Sequence, residues 1–147
     1  MACPLTQLAI DATNDLAAHS FSREINVTRA LAPYFKTEEL TGVEVVVRPA
    51  EKTGEDYTRS TQKKGLTIQV AMVSRLDSSG NTDTDPMLDL MDEIETFFVG
   101  DGDTVQPWRS SDGLVVSSYQ VIPFDEEVLF SRNQFTGMLS LTFDQYQ

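Results

Sequence analysis

The sequence predicts an α+β domain: a mostly antiparallel or mixed β-sheet with two helices packed on one face. Three observations carry this reading. Two segments place apolar residues at helical spacing, several others alternate with period two, and the order along the chain is helix, three strands, helix, two strands. At 147 residues, two separate cores would each sit near the lower limit for independent folding, so residues 1–147 are read as a single domain.

The first helix spans Pro4 to Ala18, with Leu5, Leu8, Ala9, Ala12 and Leu16 on one stripe. Pro4 suits a first helical position, where its missing N–H would have had no partner. From Arg23 to Phe35 the period drops to two: Ile25, Val27, Leu31 and Phe35 share one parity, opposite Asn26, Thr28 and Tyr34. Pro33 places the end of this strand at an edge or beyond the pairing. A polar turn, 36–42, leads to the β-branched run Val43–Val47, which Arg48-Pro49 stops.

Residues 50–65 show no apolar periodicity and are rich in charge, threonine and glycine. They are expected to form a long flexible loop, an unusual length in a small domain and one that tends to be functional or disordered. Leu66–Arg75 is the clearest strand, with Leu66, Ile68, Val70 and Met72 on one face. A polar linker at 77–85 ends on Asp85-Pro86, a good N-cap and a good first residue for the second helix. Met87, Leu90, Met91, Ile94, Phe97 and Phe98 follow at helical spacing, and Gly100 supplies the C-cap. After a loop at 101–113, strands are expected at Leu114–Ile122 and Phe135–Phe143, separated by a turn at 125–127.

Composition excludes several classes of function. With 23 acids against 11 bases the formal charge is −12, which disfavours tight phosphate binding. No apolar run approaches the ~20 residues of a membrane span. The opening Met1-Ala2-Cys3-Pro4-Leu5 has no basic region followed by an apolar block, so no secretory signal is expected. One cysteine, Cys3, cannot form an internal disulfide or a cysteine-based zinc cluster. One histidine, His19, cannot form a two-histidine metal site, and at the end of a helix it is read as complementing the dipole.

Motifs for chemistry are equally thin. Ser60-Thr61-Gln62-Lys63 has the Ser-x-x-Lys spacing of some acyl-transfer enzymes, but in a charge-rich loop rather than at the start of a helix. Residues 77–85 are dense in oxygen ligands, yet the sixth position is Thr82 where a calcium loop of the EF-hand type needs glycine. Asp101-Gly102-Asp103 is no more specific. Glu38-Glu39 and Glu126-Glu127 read as solvated turns, and no glycine-rich phosphate loop follows a strand. No catalytic residue, metal or cofactor is expected, and the chain is read as a non-enzyme.

The charge is instead segregated. From Arg48 to Arg75 there are six bases and three acids, a net of +3; from Asp77 to Asp103 there are nine acids and no base. With the apolar stripe of the second helix turned inward, Asp89, Asp92, Glu93 and Glu95 crown its outer side, where like charges weaken an isolated helix by a few tenths of a kcal/mol per pair. Two readings stand: a solubilising face beside a flexible loop, or a basic loop of one subunit lying against the acidic helix of the next, a head-to-tail contact that closes into a ring when the rotation permits. Lys52, Arg59, Lys63 and Lys64 on the loop, and Asp89, Asp92, Glu93 and Glu95 on the helix, are the candidate interface residues.

The element order resembles the tail terminator (tail-completion) proteins of long-tailed bacteriophages. The likeness rests on the short opening helix, the strand ending Ala30-Leu31-Ala32-Pro33-Tyr34-Phe35, and the valine-rich strand Val43–Val47. It continues through the long charged loop, the strand Gly65–Arg75, the helix from Pro86 to Glu95 and the closing strand from Phe135-Thr136-Gly137 to Phe143. The resemblance implies a virion protein, assembled in the host cytoplasm, that forms a ring, usually a hexamer, on the head-proximal end of the tail tube. It implies no catalytic residues. Its partners would be copies of itself, the tail tube protein and the head-side connector, with no membrane involved. Six compact bodies of this size leave an opening on the order of 30–40 Å, through which DNA would pass without specific binding. A neighbouring neck or head–tail connector component is the alternative, and a small metal-dependent enzyme using the Asp-rich loops is a third.

Overall fold

The computed structural model describes residues 3–30, 42–56, 61–75, 81–122 and 134–146, apart from the side chains of residues 55, 56 and 81–83. It has two helices, α1 (Pro4–Ala18) and α2 (Asn81–Val99), and five strands: β1 (Ile25–Arg29), β2 (Val43–Asp56), β3 (Gln62–Arg75), β4 (Val116–Ile122) and β5 (Gln134–Tyr146). The strands form one mixed sheet in the order β1-β2-β3-β5-β4.

α1 begins where expected. The Cys3 thiol accepts from the Thr6 N–H as an N-cap, Pro4 opens the first turn, and Leu8, Ala9, Ala12 and Leu16 are buried. His19 closes the helix in extended conformation, its N–H donating to the Leu16 carbonyl at 3.3 Å. β1 then pairs with β2 in parallel, from Ile25 opposite Val43 to Arg29 opposite Val47. Parallel neighbours need a crossover of a dozen or more residues, and the 13 residues between Arg29 and Val43 supply it. Of the strand expected over Arg23–Phe35, residues 31–35 lie outside the described residues, as do residues 36–41 of the turn expected at 36–42 and the turn at 125–127.

The long loop expected at 50–65 is the main correction. β2 does not stop at Arg48-Pro49 but runs to Asp56, and β3 starts at Gln62, so the two form an antiparallel arm. Its pairs run Glu51↔Thr67, Lys52↔Leu66, Thr53↔Gly65, Gly54↔Lys64, Glu55↔Lys63 and Asp56↔Gln62. Only residues 57–60, Arg59 among them, lie outside the described residues there. The physical reason is twofold. Ala50–Gly54 are exposed, so no buried face imposes alternation. An irregularity between Pro49 and Glu51 shifts the register, a bulge-like site where proline is tolerated in a sheet.

α2 also starts earlier than the linker expected at 77–85 allows. It begins at Asn81, so Pro86 lies inside rather than at its first position. Asn81–Asp85 carry no apolar residue, hence no periodicity to betray the extra turn. The 19-residue helix is about 28 Å long. It ends as expected at Gly100, which has φ +82° and donates its N–H to the Thr96 carbonyl at 2.8 Å.

Both helices pack on one face of the sheet. Val43, Val45 and Val47 of β2, Leu66, Ile68, Val70 and Met72 of β3, and Phe135, Leu139, Leu141 and Phe143 of β5 supply the sheet side of one buried cluster. The helices add Leu8, Ala9, Ala12 and Leu16, then Met87, Leu90, Met91, Ile94 and Phe98. The opposite face carries a second buried set, Val46, Ala71 and Val73, and a Thr67–Thr142 hydroxyl pair at 3.0 Å. β3 is thus buried on both sides near its middle, while β5 alternates buried and half-buried residues. β5 outruns the expected Phe135–Phe143 because β3 is longer than expected: Asp144, Gln145 and Tyr146 pair with Gly65, Lys64 and Lys63.

Candidate functional site

The basic candidates sit on the β2–β3 arm, which projects past the last β1 partner at Val47. Lys52 is exposed on β2; Lys63 and Lys64 are half-buried on β3, flanked on the other side by Tyr146 and Gln145 of β5. Lys63 Nζ lies 3.7 Å from Asp144 Oδ2, so part of its charge is already answered within the chain. A pair this exposed contributes at most about 1 kcal/mol. Arg59 lies outside the described residues. Ser60 does too, and Lys63 stands on a strand, so the Ser-x-x-Lys spacing has no helix to start.

On α2 the four acids divide. Asp89 and Asp92 are exposed. Glu93 is half-buried and takes hydrogen bonds from the Ser22 N–H, at 3.0 Å, and from the Ser22 hydroxyl, which ties the α1–β1 connection to α2. Burial and then the neighbouring Asp92 charge push the Glu95 carboxyl above its usual range. The basic candidates thus stand on β2 and β3 and the acidic ones on α2.

Between them in importance, though unforeseen from the sequence, is a cavity of about 460 Å³ where the end of α1 meets the last turns of α2. His19, Phe21, Phe97, Val105 and Trp108 form its apolar walls. Asp92, Glu93, Thr96 and Gln106 supply its polar rim, and no lysine or arginine is among its described lining residues. The His19 ring sits 4.6 Å from Phe21 and 5.0 Å from Phe97, centroid to centroid, and Phe21 and Phe97 are 6.0 Å apart. His19 therefore packs against aromatic edges rather than merely ending a helix. The faint signal in the sequence was Phe97, at the margin of the α2 stripe, and Phe21, two residues after His19.

One wall depends on the segment 100–115, which has no helix or strand yet is closely tied down. Asp101 accepts from the backbone N–H groups of Asp103, Thr104 and Val105 and from the Thr104 hydroxyl, at 2.8–2.9 Å. Led by the Val105 N–H, these donors hold its carboxyl far below the usual range. Its oxygens are thus turned to N–H and O–H donors, the opposite of a cation site. Ser111 donates through its N–H and hydroxyl to Asp11 Oδ2, at 3.0 and 2.6 Å. Burial pulls Asp11 upward, but these bonds and that from Gln7 outweigh it and lower its carboxyl. Asp11, and Asp15, which accepts from the Trp108 indole N–H, are the posts to which this segment is fastened, and the sequence singled out neither.

Among the described residues, no group of three or more histidine, cysteine or acidic side chains is arranged to hold a metal ion. None of the described helices is long and apolar enough to cross a membrane. No protein-family model matches the chain, and no curated protein matches it in sequence.

Proposed function

We propose that the chain is a structural virion subunit that forms a ring, a hexamer by resemblance, on the head-proximal end of a phage tail tube. There it ends tube polymerisation and joins the tail to the head. The observation that carries this reading is the β2–β3 arm: two paired strands that outrun β1 and bear Lys52, Lys63 and Lys64, on a body whose other helix presents Asp89 and Asp92. An arm of one sign and a surface of the other favour contact between copies, and a heterologous contact closes when the rotation permits. The element order, helix, three strands, helix, two strands, is that of the family it resembles.

In this role the chain works by shape and charge. Its partners are copies of itself, the tail tube protein and the head-side connector, and DNA crosses an acidic lumen that repels rather than grips it. The test is assembly. Light scattering on purified protein, across salt concentrations and with tail tube protein added, should show a ring on the tube. Persistent monomer with tube present would sink the reading. Labelling of the assembled particle separates this role from that of a neck component, which would lie on the head side of the tube's last ring.

A further inference from the structure

We propose that the cavity at the junction of α1 and α2 is a socket for Lys52 on the β2–β3 arm of a second copy of this chain. The inference rests on the ring reading and gives it a specific contact.

The chemistry of the cavity selects the ligand. His19, Phe21 and Phe97 offer ring faces and edges within 6.0 Å of one another, and Asp92 and Glu93 stand at the rim. A side chain with an apolar stem and a cationic head matches both halves: the stem lies along the rings, and the head meets ring quadrupoles and a carboxylate. Glu93 already takes two hydrogen bonds from Ser22, so Asp92, exposed at the mouth, is the carboxylate positioned to receive the ammonium group. Anions would meet two carboxylates and are rejected. A volume of about 460 Å³ falls in the range of side-chain and small-ligand pockets.

Geometry then selects a second copy as the source. Lys52 lies at the far end of the sheet from the α1–β1 connection: β1 starts after that connection at Ile25, level with Val43, and the parallel β2 carries on past Val47, the partner of Arg29, to Lys52. His19 and Phe21, by contrast, belong to that connection, just after the last turn of α1. The nine residue steps of β2 from Val43 to Lys52 span about 30 Å, well beyond the reach of a lysine. Donor at one end and socket at the other is the arrangement of a head-to-tail interface. Lys52 is the better candidate within the arm because it is exposed, whereas Lys63 lies against Asp144.

The protein carries a single tryptophan, Trp108, which lines the socket while itself only 8% exposed, so its emission rather than its access to quencher reports occupancy. Full-length protein is followed by sedimentation velocity and by Trp108 emission over a concentration series, with and without tail tube protein. Self-association is expected to shift Trp108 emission as a charged head enters the socket. Lys52→Glu and Asp92→Lys should each weaken association by about tenfold or more, and the double variant should regain most of it. Both sites are exposed, so melting temperatures confirm that the variants fold. Association that proceeds with Trp108 emission unchanged, or losses that the double variant does not recover, overturns the socket and leaves the ring reading standing. Association untouched by either single variant does the same. A chain that never associates, even on tube, overturns both.

Discussion

The indole N–H of Trp108 donates to Asp15 Oδ2 at 2.7 Å, joining the segment after α2 to the outer side of α1 across 93 positions of sequence. Trp108 is only 8% exposed, and its ring stands edge-to-face against Phe98 and Phe143, at 5.4 and 5.8 Å. Asp15 is therefore what lets a large ring with a polar atom enter the core.

Asp15→Ala strands that buried donor, and leaving such a group unpaired costs about 1–3 kcal/mol. Denaturant unfolding should show the loss in midpoint, with Trp108 emission shifted in the folded state. Asp15→Asn, which keeps a carbonyl acceptor, should recover a large part of it. Equal stability of wild type and Asp15→Ala would show that the bond contributes nothing.

Asp101, like Asp11, contributes to stability against acid. Its carboxyl is held well below its ordinary value of 3.8, so the folded state favours the ionised form. That contribution is full above the unfolded value and is lost as pH falls through 3.8 and below. Asp101→Ala should lower the melting temperature at pH 7, and the gap to wild type should narrow as the pH is taken down toward 3. A gap that stays constant across that range would refute the assignment.

Glu95 works in the opposite sense. Burial first, and the Asp92 charge second, raise its carboxyl above the ordinary 4.5, so the folded state holds the proton more tightly than the unfolded one. Ionising Glu95 as pH rises past 4.5 therefore costs stability. Glu95→Gln should raise the melting temperature at pH 7 and leave it nearly unchanged near pH 4.

How much of this was visible in the sequence differs by element. Where one face is buried, the pattern is plain: the α1 stripe of Leu8, Ala9, Ala12 and Leu16, and the alternation of Leu66, Ile68, Val70 and Met72, both enter the core as read. The arm was hidden because Ala50–Gly54 are exposed and the bulge after Pro49 breaks the phase. The posts of the 100–115 segment, and the tie between the α1–β1 connection and α2, were hidden for another reason. Asp11 with Ser111, Asp15 with Trp108 and Ser22 with Glu93 are pairs separated by 100, 93 and 71 positions, and nothing local marks an acid whose partner lies so far along the chain. The cavity inherits that difficulty, since its walls come from α1, α2 and the segment those posts secure.

A close approach and a left-handed backbone coincide at Gly100. Its φ is +82°, and a Cβ there would come within 2.8 Å of the Val105 carbonyl oxygen and 3.0 Å of the Pro107 nitrogen. Gly100→Ala adds roughly 1–2 kcal/mol of left-handed strain to that clash. The segment carrying Val105 must then move, so Trp108 quenching should rise along with the fall in unfolding midpoint. A loss of stability with no change at Trp108 would mean that the backbone absorbs the methyl locally.

The arm's lysines separate folding from assembly. Lys63 pairs with Asp144 at 3.7 Å while about a third exposed, a contact too solvated to contribute more than about 1 kcal/mol. Replacing Lys63 and Lys64 by glutamine should therefore leave the unfolding midpoint close to wild type. Under the ring reading, the same double variant should weaken association, and the wild-type interface should itself loosen as added salt shortens the screening length from about 10 Å at 0.1 M to about 3 Å at 1 M. An apolar interface would strengthen or hold under the same salt, so the direction of the salt effect decides whether opposite charges draw the subunits together. If particles carrying the variant complete their tails normally, charge attraction between arm and helix is not what assembles them.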